Sequence, residues 1–165
     1  SGHALGVAML ALLFGVRLSF LAYSLVLALQ SLLFGAGGIT ALAVNALAMG
    51  LAGSIAAVLA FRGLRRMNET AAVAVAAWLS VVLPGFLVAL ALGVQPLIAH
   101  KEDGTPLFFP FGFSITLPAV LVPHLFIGAG EAVLTVLVWR FAQARKWLPS
   151  PARGRGVGGE GLERL

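Results

Sequence analysis

The stretch that decides the fold is LSFLAYSLVLALQSLLFGAGGITALAVNALAMGLAGSIAAVLAF, residues 18–61, which lies between Arg17 and Arg62. Its 44 residues include no Asp, Glu, Lys, Arg or His. A helix crosses about 30 Å of hydrocarbon in about 20 residues, so this stretch is long enough for two crossings with a turn between them. Gly35-Ala36-Gly37-Gly38 supplies that turn, since it has almost no helix propensity. The charge-poor pattern continues outward in both directions. Residues 70–100 hold a histidine and no other ionisable side chain, and between Gly104 and Trp139 the only charged side chain is Glu131. Each of these stretches has room for one further crossing.

Over all 165 residues, 60% are hydrophobic and 10% charged, and the mean hydropathy is +1.02. Soluble domains carry about 25% charged residues, and disordered chains carry low hydrophobicity with high charge. Neither class fits, and the membrane is the solvent that does. With no cysteine, the chain has no disulfide framework, thiol nucleophile or Cys-based zinc site. The net charge of +5 raises the question of nucleic acid. The basic residues, however, gather at the ends of the apolar stretches, as Arg62, Arg65 and Arg66 and as Arg140, Arg145, Lys146, Arg153 and Arg155. That distribution is the positive-inside pattern of a membrane protein and not a nucleic-acid surface, so no nucleic-acid partner is expected.

The expected fold is therefore an all-α membrane protein, a polytopic helical bundle of about five transmembrane segments. These are His3 to Phe14 (short, partial or re-entrant), Leu18 to Phe34, Thr40 to Phe61, Thr70 to Ala99 with a break at Pro84-Gly85, and Ser114 to Ala142. The bundle is expected over residues 1–148, with a disordered, Gly/Arg-rich cytoplasmic tail at 149–165. If the basic clusters are cytoplasmic, one topology satisfies them all. Arg17 is then inside, and the Gly35–Gly38 turn and the loop 101–113 (KEDGTPLFFPFGF) are outside. Small residues at four-residue spacing, Ala46, Gly50 and Ser54 with Gly53 and Ala57, allow close helix approach, either within the chain or against a partner membrane subunit.

Polar groups inside a membrane are expensive, and each asks for a partner or a function. His3, Gln30, Asn45, Gln95, His124 and Glu131 make up this set. His124 and Glu131 are seven residues apart, two helical turns, and form an intramembrane polar pair on one helix face; a hydrogen-bonded interior face, metal ligation and a proton relay are the alternatives. His3 offers imidazole, a common ligand for nickel, cobalt and copper. Were Ser1 a free terminus, its amine, two amides and the His3 ring would together supply four nitrogens suited to a square-planar Ni(II) or Cu(II) site. No G-x-S-x-G, phosphate-binding glycine loop, H-E-x-x-H or paired carboxylates occur, so neither an enzyme nor a self-powered pump is expected.

Three blocks carry a resemblance: SGHALGVAMLALLFG at 1–15, QSLLFGAGGITALAVNALAMG at 30–50 and HLFIGAGEAVLTVLVWRF at 124–141. Together they resemble the CbiM/NikM family, the cobalt- and nickel-specific substrate-binding components of energy-coupling factor transporters. The resemblance implies a seven-helix fold that takes a divalent metal from the outer side. It also implies ligation by an N-terminal Met-His pair together with a further histidine, which corresponds to His3. The first two helices and the Met-His terminus of the family have no counterpart in these 165 residues, so the chain is expected to be an N-terminally incomplete member. Gln30 and Asn45 are then expected to support the ligands or fasten the missing loop. The resemblance further implies a transmembrane coupling subunit and cytoplasmic ATPases as partners besides membrane lipid, a prokaryotic plasma membrane, and Co2+ or Ni2+ as cargo with no permanently bound cofactor. A structural or assembly subunit of a membrane complex, or an ion-coupled carrier using His124 and Glu131, are the alternatives.

Overall fold

A computed structural model of the chain describes residues 6–35 and 37–148. His3 and the expected tail at 149–165 lie outside the described residues. Among the described residues there is no strand, only one isolated bridge between His100 and Pro106. Four helices among these residues are long and apolar enough to cross a membrane: α1 (Val7–Phe34), α2 (Ile39–Leu64), α3 (Glu69–Ile98) and α4 (Phe113–Ala144). The fold is the all-helical membrane bundle read from the sequence, with four membrane-length helices where five segments were expected.

The difference lies in α1. Gly15, inside it, has φ 79° and ψ 169°, a backbone region essentially confined to glycine. In an uninterrupted helix Val7 and Ser19 would be about 18 Å apart along the axis. Instead the Ser19 hydroxyl lies 3.5 Å from the Val7 carbonyl, and Val7 packs with Tyr23 and Leu27. The chain therefore doubles back at Gly15. A short limb, 7–14, lies along the longer limb, 16–34. The first two expected segments are the two limbs of α1, and the first is about 12 Å long, too short to cross on its own. Val7, Ala8 and Ala11 are wholly buried, so the short limb is part of the core.

Helix α2 starts as a 3-10 turn at Ile39–Ala41 and widens into a π-helical stretch at Ala46–Ala52 before returning to α geometry. The small-residue face of α2 is used inside the chain. Gly50, Gly53, Ser54 and Ala57 are buried, and the Ser54 hydroxyl shares a 2.8 Å hydrogen bond with that of Ser19. Helix α3 begins at Asn68, whose side chain accepts from the Ala71 amide at 3.0 Å. It then runs through Pro84, where a break was expected. Proline leaves the carbonyl four residues earlier without its helical donor. That carbonyl, of Ser80, faces Gly53 of α2 so closely that a Cβ there would lie 2.8 Å from it. The missing side chain at 53 lets α2 cover the gap.

Helices α3 and α4 meet through further small residues, Gly85 against His124, Gly93 against Phe113 and Gly128 against Trp78. At one end of the bundle Glu69 accepts from the Trp139 indole (3.0 Å) and the Gln143 amide (2.9 Å), tying the start of α3 to the end of α4. Arg62, Arg65, Arg66, Arg140, Arg145 and Lys146 collect around this end. Arg17, just past the α1 reversal, borders a shallow apolar cleft with Ile55, Val58 and Leu59 of α2. The outer faces of the helices stay apolar, as lipid contact requires; Leu25, Leu33, Phe126 and Val133 are all well exposed.

Candidate functional site

The polar interior converges on the N-terminal end of the short α1 limb. Glu131 is buried near the middle of α4, and its Oε1 accepts a 2.6 Å hydrogen bond from the Gly6 amide. It stands about 20 Å from the C-terminal end of α4, so the start of α1 lies deep in the bundle and not at a membrane surface. Around this point Val7, Tyr23 and Leu27 form a small cluster with Leu10, Leu42, Ala46 and Met49. The π-helical stretch of α2 thus faces the start of α1, and such stretches often accompany functional sites. Tyr23 is 2% exposed, and its hydroxyl has no hydrogen-bond partner among the described residues, nor has that of Ser24.

The candidate residues distribute unevenly over this geometry. His3, three positions before Gly6, lies outside the described residues. His124 and Glu131 share α4 but take separate partners. The His124 ring lies against Gly85, and its Nδ1 is 2.7 Å from the Val120 carbonyl, while Glu131 holds Gly6. Asn45 is half-buried, and its Nδ2 lies 2.9 Å from where a Cβ on Gly37 would stand, so its amide rests on the α1–α2 turn. Gln30, also half-buried, accepts the Gly35 amide through its backbone carbonyl at the end of α1. Gln95 accepts from the Phe109 amide at 3.3 Å and pins the loop before α4. In that loop Asp103 accepts from both the hydroxyl and the amide of Thr105, and the hydroxyl bond is foremost in holding its carboxyl below the ordinary range. Phe108 is largely exposed and Phe113 packs on Gly93, so the loop aromatics divide between the surface and the bundle.

Tyr23, Ser19 and Ser54 were not singled out as candidates from the sequence. Ser19, Tyr23 and Leu27 recur at four-residue spacing and mark the buried face of the long limb, which is the signal that was available. Among the described residues no three His, Asp or Glu side chains are grouped closely enough to hold a metal.

A bundle of apolar helices with a reversed short limb, a buried carboxylate at its start and no catalytic constellation defines a polytopic membrane protein. Residues 1–148 match the CbiM family, described as the cobalt uptake substrate-specific transmembrane region, and the chain belongs to that family. That family is a transport component and not an enzyme. The chain is 38% identical over 145 residues to the probable fused nickel transport protein LarMN of Lactiplantibacillus plantarum, covering 87% of this chain and 44% of that protein. It is 35% identical to the fused nickel transport protein NikMN of Rhodobacter capsulatus (82% of this chain, 41% of that protein). It is 30% identical to the cobalt transport protein CbiM of Clostridium tetani (84% and 55%). The chain thus spans about half the length of these relatives. Among solved structures, a transition metal transporter superposes with a TM-score of 0.83 at 33% identity, covering 88% of this chain and 66% of that one.

Proposed function

We propose that this chain is the metal-capturing membrane component of a cobalt or nickel uptake system. The observation that carries this reading is the placement of the α1 start. Gly6, three positions after His3 in the sequence, is held deep in the bundle by Glu131. Membership of the CbiM family supports the cargo, and the residue type supports the chemistry, since imidazole and backbone nitrogens suit borderline divalent metals. The role is binding and delivery without bond chemistry. His3 acts as a ligand, and Co2+ or Ni2+ is cargo and not a resident cofactor.

Asn45 and Gln30 hold the α1–α2 turn in this reading, which keeps the long limb of α1 in place beside the site. In this reading energy comes from a membrane coupling subunit and cytoplasmic ATPases of the energy-coupling factor type, and these 165 residues carry no phosphate-binding loop of their own. The basic end of the bundle, with Arg62–Arg66 and Arg140–Lys146, faces the cytoplasm of a prokaryotic cell, and the C-terminus is on that side. The small-residue face of α2, which would have motivated a purely structural subunit, is spent on packing within the chain.

The test is isothermal titration of Ni2+ and Co2+ into the full-length protein and its His3→Ala variant, in detergent or nanodiscs. A loss of affinity of at least about tenfold in the variant is expected for a lost metal ligand. Equal affinity would remove His3 from the site.

A further inference from the structure

Helices α1 and α2 contain no Asp or Glu, and the first acid in the sequence is Glu69. Arg17 nevertheless sits within α1, just past the reversal at Gly15. Its depth follows from helix geometry. Arg17 is about 26 Å back along α1 from Phe34, and Val58 is about 28 Å along α2 from Ile39, so the two are level. Helix α2 runs on for only about 9 Å beyond Val58, to Leu64. Arg17 therefore stands one to two turns inside the end of the bundle that carries Arg62, Arg65 and Arg66. From there a guanidinium reaches the headgroup layer by laying its stem along apolar surface.

The surface beside it is a cleft. Arg17 borders it together with Val16, Ile55, Val58 and Leu59, and its volume is about 330 Å³. Val16 and Val58 are buried and form the floor, while Ile55 and Leu59 are exposed and form the rim. None of these neighbours offers Arg17 an acceptor side chain. Glu69, the acid that follows α2, is taken by Trp139 and Gln143. Arg62 lies four positions after Val58, on the same face of α2, so positive charge increases from the cleft outward.

We propose that this cleft is a binding site for one anionic phospholipid, with an acyl chain along Val16, Val58 and Leu59 and the headgroup phosphate on Arg17. Guanidinium and phosphate match in shape through two parallel N–H···O bonds. The positive charge of Arg62, Arg65 and Arg66 favours a headgroup of net negative charge over a zwitterionic one. The phosphate supplies the acceptor that neither helix carries, and the chain fills a seam that opens on hydrocarbon.

The full-length protein in neutral detergent is titrated with phosphatidylglycerol or phosphatidylcholine of identical acyl chains, and bound lipid is counted by native mass spectrometry. The parent binds one phosphatidylglycerol about fivefold or more tighter than phosphatidylcholine, the factor that one near-surface cation contributes. Arg17→Gln loses about that factor for phosphatidylglycerol and leaves phosphatidylcholine unchanged. Arg17→Lys keeps the charge and part of the preference. Arg145→Gln, just past the end of α4, behaves as the parent, and glycerophosphoglycerol, which has no acyl chain, does not displace the lipid. Equal binding of both lipids by the parent, an unchanged preference in Arg17→Gln, or an equal loss in Arg145→Gln overturns the site. Displacement by glycerophosphoglycerol at the lipid's own concentration shows a free-phosphate site and overturns the lipid. Retention of neither lipid by the parent also overturns it and leaves the cleft to a protein partner.

Discussion

Gly15→Ala is the sharpest single test of the reversed limb. A Cβ built on Gly15 meets nothing within 4 Å, so the substitution adds no steric conflict with neighbouring groups. Its whole effect comes from the backbone, held at φ 79° and ψ 169°. A non-glycine residue in that region costs about 1–3 kcal/mol. Alanine also favours the competing state, a continuous helix from 7 to 34, by about 1 kcal/mol relative to glycine. The two effects add, giving an expected loss of about 2–4 kcal/mol in the folded hairpin. The competing state would carry Val7 some 18 Å along the axis from Ser19 and expose the buried Val7, Ala8 and Ala11. Gly63→Ala is the matched control. It too meets nothing within 4 Å, but it sits in ordinary helical geometry near the end of α2, so a gain of up to about 1 kcal/mol is expected. Equilibrium unfolding in mixed micelles measures both free energies. Spin labels at residues 10 and 26 report whether the limbs remain side by side. The reasoning is refuted if Gly15→Ala is as stable as Gly63→Ala and the label distance is that of the parent.

Two further predictions follow from single contacts. The buried Ser19–Ser54 hydrogen bond gives a double-mutant cycle. Each alanine alone removes the bond and leaves the other hydroxyl without it, at a cost of about 1–3 kcal/mol, whereas the double variant costs well below the sum of the singles. Strict additivity in unfolding measurements would contradict it. In the loop before α4, the Asp103 carboxyl is depressed first by the Thr105 hydroxyl and then by its amide. The turn is accordingly stabilised above the ordinary carboxylate range, and that contribution is lost as pH falls through the depressed value. Thr105→Val brings the Asp103 titration, followed by carboxyl NMR, back up toward the ordinary range; an unmoved titration would show that the hydroxyl is not the cause.

How much was legible beforehand differs from residue to residue. The boundaries of α2, α3 and α4 were readable because Arg17, Arg62, Glu69, Lys101 and Arg140 bracket apolar runs, and transfer into lipid is a property of local composition. Glu131 stood out for the same reason, as the one charge in a long apolar run. Its partner did not, because the Gly6 amide is 125 positions away and backbone amides look alike in a sequence. His124 was read beside Glu131 from helical spacing alone, and in the folded chain its ring turns to Gly85 and its Nδ1 to Val120. Pro84 read as a break because the proline rule is local. In the folded chain α3 runs through it, and Gly53 of the neighbouring helix packs on the Ser80 carbonyl that the proline leaves without a helical donor.

The sequence by itself determined that this chain is a membrane-embedded helical bundle with its basic clusters at helix ends, since 60% hydrophobic and 10% charged residues leave no other solvent. It also marked the first segment as too short to cross. Only the tertiary structure decided that this segment folds back at Gly15, lies within the core and is capped by a carboxylate from the last helix. The physical reason is that hydropathy sums over neighbours in the chain. A left-handed glycine, a buried hydrogen bond and a close backbone approach are instead settled by which helices pack together, and each is stable only once those partners are in place.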